Sequence, residues 1–482
     1  MKKEKSQQGL SVNKEQNFSE WYNQIVQKAE LADYSDVKGF MVIRPNAYSI
    51  WEAIQTYFDK RIKSLGVRNA YFPLLIPESF FKKEADHARG FVPEVAWIAN
   101  KETDKGEKSE RLAIRPTSET IIYDSYSKWI RSWRDLPLRI NQWSNVVRWE
   151  TKATRLFLRT REFLWQEGHC VYESKEECDK ETLQFLKEYQ KLCEDVLAIP
   201  VLTGRKTDKE KFSGALYTLS IEGIMQDGKA LQMGTSHNLG QGFARSFDIN
   251  FLDKDGKKNT PWQNSWGVST RLIGALAMVH GDDRGLILPP KVAYNKVVII
   301  PLLFKGKEAK VLAKAKEIAK KLTDFNPILD DSEATPGWKF NEHELKGIPI
   351  RIEIGPKDIE KKQVTLVRRD TGKKTEVKES FVQKEVESLL DDIQSTLFKK
   401  AKKDFEEKIS EVTDFSQLKK AISGQKVALG FFCGNSSCEE NIKEKADGAK
   451  TINMPFEESK KSGKCVVCGK LVKSLVYIGK SY

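Results

Sequence analysis

Arg148 and Glu150 stand two residues apart, Arg159 precedes Phe163 by four, and a further arginine, Arg271, ends the run Gly267-Val268-Ser269-Thr270-Arg271. A guanidinium donates parallel hydrogen bonds to phosphate oxygens from a planar fork, which a lysine cannot do. Taken alone, any one of these arginines reads as an ordinary solvated charge. As a block, fixed cations beside an aromatic ring suit a triphosphate joined to a flat base. A second constellation is Arg115-Pro116-Thr117-Ser118-Glu119-Thr120, ahead of a helix expected to reach Ile130. Thr117 fits the N-cap of that helix. Glu119 follows it by two residues, not by the three of a capping box, so the carboxylate and hydroxyl are available to a protonated amine. The third group is Cys433 and Cys438 with four residues between them, then Cys465 and Cys468 with two between. Such pairs can set four thiolates around zinc; the plainer alternative is four unligated thiols. Cys170, Cys178 and Cys193 are scattered, and an odd total of seven argues against a disulfide framework.

These residues need elements to position them. From Pro45, the apolar Ile50, Trp51, Ile54, Tyr57, Phe58 and Leu65 recur at helical steps up to Gly66, which predicts an amphipathic helix. Residues 70–76 form an aromatic and aliphatic run that reads as a strand stopped by Pro77. Residues 142–150 read as a strand with Arg148 and Glu150 on one face and Val147 and Trp149 on the other. Phe163 and Trp165 share a face of a second strand, and residues 151–160 read as a long polar loop whose closure brings Arg148 opposite that strand. Beyond Pro289-Pro290 the order of strand 297–303, helix 307–322 and alternating strand 348–354 predicts a separate α/β domain. A charged helix over 378–409 would join it to the cysteine-bearing end.

A chain of 482 residues exceeds what one core serves. The expected division is a disordered extension over 1–17, a catalytic domain over 18–290, an α/β domain over 291–400 and a zinc-binding domain over 401–482. The net charge of +13 suits a polyanionic partner such as nucleic acid, although a lysine-rich composition produces the same excess. No run of apolar residues is long enough to span a membrane, and residues 1–15 carry no apolar leader, so a cytoplasmic, membrane-free protein is expected.

The block Arg148-Trp149-Glu150 with Arg159 to Phe163 resembles motif 2 of the class II aminoacyl-tRNA synthetases, residues 267–271 resemble motif 3, and the segment ending at Pro77 resembles motif 1. The run from Arg115 to Thr120 resembles the proline-recognition loop of the prolyl-tRNA synthetases. That resemblance implies an ATP site in which Arg148 holds the α-phosphate, Arg271 the γ-phosphate and Phe163 the adenine, with Glu150, Arg159, Gln232, Thr235 and Ser269 nearby. It implies a proline site of Phe91, Thr117, Glu119, Arg148, Trp165, His237 and Ser269, and Glu222 as a magnesium ligand. Threonyl relatives hold zinc in this pocket; here His169-Cys170 has no third ligand at motif spacing and reads as core or strand. Residues 351–357 resemble the class IIa anticodon-binding domain, which makes Arg351, Glu353, Lys357 and Arg368, with Arg369, the expected tRNA contacts.

The implied fold is an α+β catalytic domain with a mostly antiparallel sheet flanked by helices, an α/β anticodon-binding domain and a small C-terminal zinc-binding α/β domain. The implied activity is formation of prolyl-adenylate from proline and Mg-ATP, then transfer to the terminal adenosine of tRNA(Pro). The family also implies a homodimer through motif 1, a structural zinc on the four late cysteines, and Tyr482 near the active site. The interval between motifs 2 and 3 is short for the editing insertion of the common bacterial form, which suggests the archaeal and eukaryotic type. Two other readings are a synthetase-like tRNA binder without catalysis and a zinc-ribbon nucleic-acid binder. The first has no reason to keep both phosphate arginines and Glu119, and the second leaves the Arg148 to Arg271 block unexplained.

Overall fold

The computed structural model describes residues 9–85, 95–99 and 110–482. Its centre is a seven-stranded sheet of β1 (Arg68–Asn69), β2 (Leu138–Val147), β3 (Glu162–Tyr172), β4 (Leu202–Arg205), β5 (Tyr217–Ile224), β6 (Ala230–Gly240) and β7 (Trp262–Ser269). The spatial order is β1-β2-β3-β7-β6-β5-β4, antiparallel throughout except where β1 runs parallel to β2. One face is packed by the helices Pro45–Ser64, Lys175–Lys191 and Arg271–His280. Trp266 of β7 stacks on Phe185 of the second helix at 4.0 Å and lies across Gly168 of β3, where an added Cβ would come within 2.1 Å of the indole. The opposite face carries the residues discussed below.

Residues 70–76 do not form one strand. Pro73 has no N–H to donate and splits the run, so only β1 and the short strand Leu75–Pro77 pair. The intervening backbone is held by side chains: Gln142 Oε1 accepts from Phe72 N at 2.5 Å and Arg115 donates to Phe72 O at 2.7 Å. The connection over 151–160 is likewise less polar than its composition suggests. Arg155 and Arg159 pair across a tight turn, and Leu156, Phe157 and Leu158 at its tip are buried in the main core. Residues 9–17, expected to be disordered with the rest of 1–17, are tied down. Buried Lys14 donates to the carbonyls of Met278 and Gly281 at 2.9 and 2.6 Å, where the helix Arg271–His280 leaves its last carbonyls free.

The second domain is a five-stranded sheet in the order Ile328–Leu329, Val297–Pro301, Ile350–Ile354, Gln363–Arg368 and Lys374–Lys378. The first three strands are parallel and the last two antiparallel. Ile350–Ile354 is central and buried at every position, so its alternating sequence does not mark a solvent face. The helix Val382–Glu407 leads to a four-stranded sheet of Ile409–Val412, Val427–Phe431, Leu475–Gly479 and Lys450–Thr451. This last domain docks on the catalytic sheet by main-chain bonds between Arg205 of β4 and Met454 at 2.8 and 2.7 Å.

Candidate active site

Strand register builds the site. On the open face of β3, residues Phe163, Trp165, Glu167 and His169 alternate, and pairing carries the rows across the sheet. Ser269 lies opposite Trp165, Gly267 and then Thr235 continue from Glu167, and Ser265, His237 and Thr218 continue from His169. These rows line a cavity of about 340 Å³ together with Thr117, Glu119, Arg148, Gln232 and Arg271. A smaller pocket of about 80 Å³ adjoins it and adds Glu150 and Arg159, sharing Arg148, Phe163, Ser269 and Arg271 with the first. The two arginines from distant parts of the chain therefore face one cleft.

Arg148 follows the end of β2 and lines the cavity; its Nε donates to Pro116 O at 3.0 Å, and among the described residues its terminal nitrogens make no hydrogen bond. Its guanidinium carbon lies 5.4 Å from the ring centres of both Phe163 and Trp165. Arg271 opens its helix and donates to Leu158 O and Gln232 O at 3.2 and 3.1 Å. Among the described residues neither side chain forms an ion pair. Burial lowers the pKa of both, and Arg148 lowers that of Arg271 further by its like charge. The fields of Glu119, Glu167 and Glu150 act on Arg148 and those of Glu222 and Glu150 on Arg271, but they do not offset burial, and half-buried cations held in no direct ion pair favour an anion arriving between them.

At the other end, Thr117 donates to Glu119, which is buried, and Ser118 donates to Glu167. Glu167 also accepts from Gln142 Nε2 at 3.0 Å and meets His169 Nε2 at 3.0 Å, while His169 Nδ1 meets Tyr123 Oη at 3.0 Å. Burial opposes charge on His169, but the Glu167 carboxylate outweighs it and the net shift is upward. The reading of His169 as core or strand holds for its burial and misses its place on the cavity. Period-two alternation from Phe163 and Trp165 points to both Glu167 and His169.

His237 pairs through Nδ1 with Thr218 Oγ1 at 2.9 Å beside the ring of Phe212, and burial holds its pKa down to about 3. Unfolded, this imidazole takes a proton near its ordinary 6.5, whereas the folded one stays neutral until about 3. Its contribution therefore removes stability as pH falls through that interval. The melting temperature is expected to drop between pH 7 and pH 5, and to drop less in His237→Gln; an identical slope in calorimetry would contradict the shift.

Glu222 lines neither cavity. It is buried, and its Oε1 accepts from the equally buried Lys206 Nζ at 2.5 Å. Phe91 lies outside the described residues. Tyr482 is not among the cavity's lining residues; it donates to Asp227 at 2.8 Å on the turn between β5 and β6, and its N–H donates to Ala230 O at 3.1 Å, two residues from Gln232 of the cavity.

Comparison with known proteins decides the lineage. Residues 102–280 match the tRNA synthetase class II core domain (G, H, P, S and T), 296–389 the anticodon binding domain, and 415–482 the prolyl-tRNA synthetase C-terminal domain. The chain is 52% identical over 470 residues to a proline–tRNA ligase 2 of Bacillus cereus, covering 97% of this chain and 98% of that one. It is 52% identical over 475 residues to proline–tRNA ligase of Alkaliphilus oremlandii, covering 97% of each. With a proline–tRNA ligase of Clostridium botulinum the identity is 50% over 470 residues, again 97% of each. The chain belongs to the class II prolyl-tRNA synthetases.

These relatives are bacterial, so they do not bear out the archaeal and eukaryotic type suggested by the short interval between motifs 2 and 3. The synthetase's anticodon-domain residues are also less available than expected. Arg351 donates to Glu353 at 3.0 Å and to Glu344 at 2.7 Å, and Glu353 takes Lys374 at 2.9 Å. Arg368 is held by Asp370 at 2.7 Å and by Asp392, and Arg369 is buried against Asp282 of the catalytic domain at 2.6 Å. Lys357 alone of the five is exposed. Such pairs are conditional: they open only for a ligand that replaces the charges they satisfy.

The four late cysteines do converge, with sulfurs within 4.8 Å of one another and the Cys433 sulfur 3.6 and 3.7 Å from those of Cys438 and Cys468. Thiolates about 2.3 Å from a tetrahedral zinc stand about 3.8 Å apart, so the donor set fits that metal. Among the described residues no helix is long and apolar enough to cross a membrane.

Proposed function

We infer that the chain ligates proline to tRNA(Pro), in two steps. The proline carboxylate attacks the α-phosphorus of Mg-ATP, the bond to diphosphate breaks, and prolyl-adenylate remains. A ribose hydroxyl of the terminal tRNA adenosine then attacks the prolyl carbonyl carbon and AMP departs. No covalent enzyme intermediate is required, so the residues act by placement and charge. The observation that carries the reading is the convergence of Arg148 and Arg271, neither of them in an ion pair among the described residues, on a cavity whose far end holds buried Glu119.

In this reading Arg148 takes the α-phosphate and Arg271 the γ-phosphate of a bent ATP, with Phe163 on the adenine and Glu150, Arg159, Gln232, Thr235 and Ser269 around it. Glu119 and Thr117 take the secondary ammonium, and Trp165 and His237 flank the pyrrolidine ring. Magnesium enters with ATP as substrate; Glu222, already neutralised by Lys206, does not fit as its ligand. Zinc on Cys433, Cys438, Cys465 and Cys468 serves as a structural cross-link. Seven unpaired cysteines suit the reducing cytoplasm, and motif 1 supplies a homodimer contact.

The test is proline-dependent exchange of pyrophosphate into ATP. A rate well above that with other amino acids supports the reading; tRNA binding without exchange supports the non-catalytic one. Metal analysis after mild purification is expected to give about one zinc per chain, and less than about half an equivalent would count against a four-thiolate site.

A further inference from the structure

The segment from Lys206 to Ala215 joins β4 to β5 and forms the outer wall of the amino-acid end of the cavity, to which Glu210 and Phe212 contribute. Thr218 Oγ1 holds it from within by accepting from Phe212 N at 2.9 Å, and the same hydroxyl pairs with His237. From outside it is held by the C-terminal domain. Buried Thr207 and buried Thr451 pair through their hydroxyls at 3.3 Å, and the Thr451 hydroxyl lies 3.4 Å from Glu439 Oε1. Either hydroxyl of the Thr207 and Thr451 pair can be the donor, and the Glu439 carboxylate takes the proton left over. Lys450 adds a contact to Glu210 at 3.2 Å. The backbone carbonyl of Thr207 closes the turn, accepting from Glu210 N at 3.1 Å and Lys211 N at 2.9 Å. Glu439 belongs to the helix Ser436–Lys445, which begins within the Cys433–Cys438 loop.

We propose that Thr451 and Lys450 are positioning residues for the amino-acid pocket: through Thr207 and Glu210 the cysteine-bearing domain sets the wall that carries Phe212. This rests on reading that end of the cavity as the proline site. Neither residue touches the substrate, so their removal loosens the wall and leaves the phosphate end alone.

Thr451→Val keeps shape and removes the hydroxyl. It is expected to raise the proline KM in pyrophosphate exchange about threefold to tenfold, the value of one or two hydrogen bonds, with kcat and the ATP KM within about twofold. Thr451→Ser restores the proline KM, and Lys450→Met adds a smaller increase because its ion pair is partly exposed. Amide hydrogen exchange across 206–215 in the same full-length proteins should quicken in Thr451→Val and return in Thr451→Ser. Wild-type exchange activity with an unchanged proline KM in Thr451→Val, or equal shifts in the proline and ATP constants, overturns the proposal. Absence of proline-dependent exchange in the wild type overturns the functional reading instead.

Discussion

Arg148→Ala is expected to slow proline-dependent pyrophosphate exchange on the order of a hundredfold to a thousandfold, the range found when one preorganised donor to a developing negative charge is removed. The geometry sets that expectation. Its Nε is committed to Pro116 O and its guanidinium is braced by two aromatic rings, so the remaining N–H groups reach the cavity in a fixed direction. Stability should move little, because removing a half-buried cation that burial disfavours is set against losing its attraction to Glu119, Glu167 and Glu150 and its bond to Pro116 O. Loss of rate with an unchanged melting temperature separates this residue from one that only supports the fold. Arg148→Lys should fall between, since it keeps the charge and loses the fork. Exchange close to the wild-type rate in Arg148→Ala would remove this side chain from the mechanism.

What was legible beforehand followed from period and spacing. The helix predicted from Pro45 to Gly66 is present over Pro45–Ser64, and the antiparallel return that faces Arg148 across to β3 is present with Val147 opposite Glu162. Glu167 was harder, because a lone carboxylate in a strand looks like surface until the register sets Gln142 and Gly267 on either side of it. The anticodon domain misled for the opposite reason. Arg351 and Glu353 do share a strand face, but the strand is central, so the two charges satisfy each other and their neighbours. Nor could local sequence show that Lys450 and Thr451 reach the catalytic wall. That contact joins segments more than 200 residues apart and depends on how β4 meets Met454.

Glu119→Gln is expected to raise the KM for proline on the order of a hundredfold, the cost of taking one partner from a desolvated hydrogen-bonded charge pair. The amide keeps the volume and can still accept from the Thr117 hydroxyl, so the loss reports the charge and not the packing. A competing account makes Glu119 a counter-charge for Arg148, since its field acts on that guanidinium. Under that account the ATP KM rises with the proline KM, whereas an ammonium partner raises the proline constant and leaves the ATP constant within about threefold. A neutral analogue with a ring oxygen in place of the proline nitrogen sharpens the distinction. It should bind the wild type weakly and gain or hold affinity in Glu119→Gln, because the buried carboxylate no longer faces a lone pair. If the analogue weakens in parallel with proline, the carboxylate shapes the pocket and does not recognise the amine.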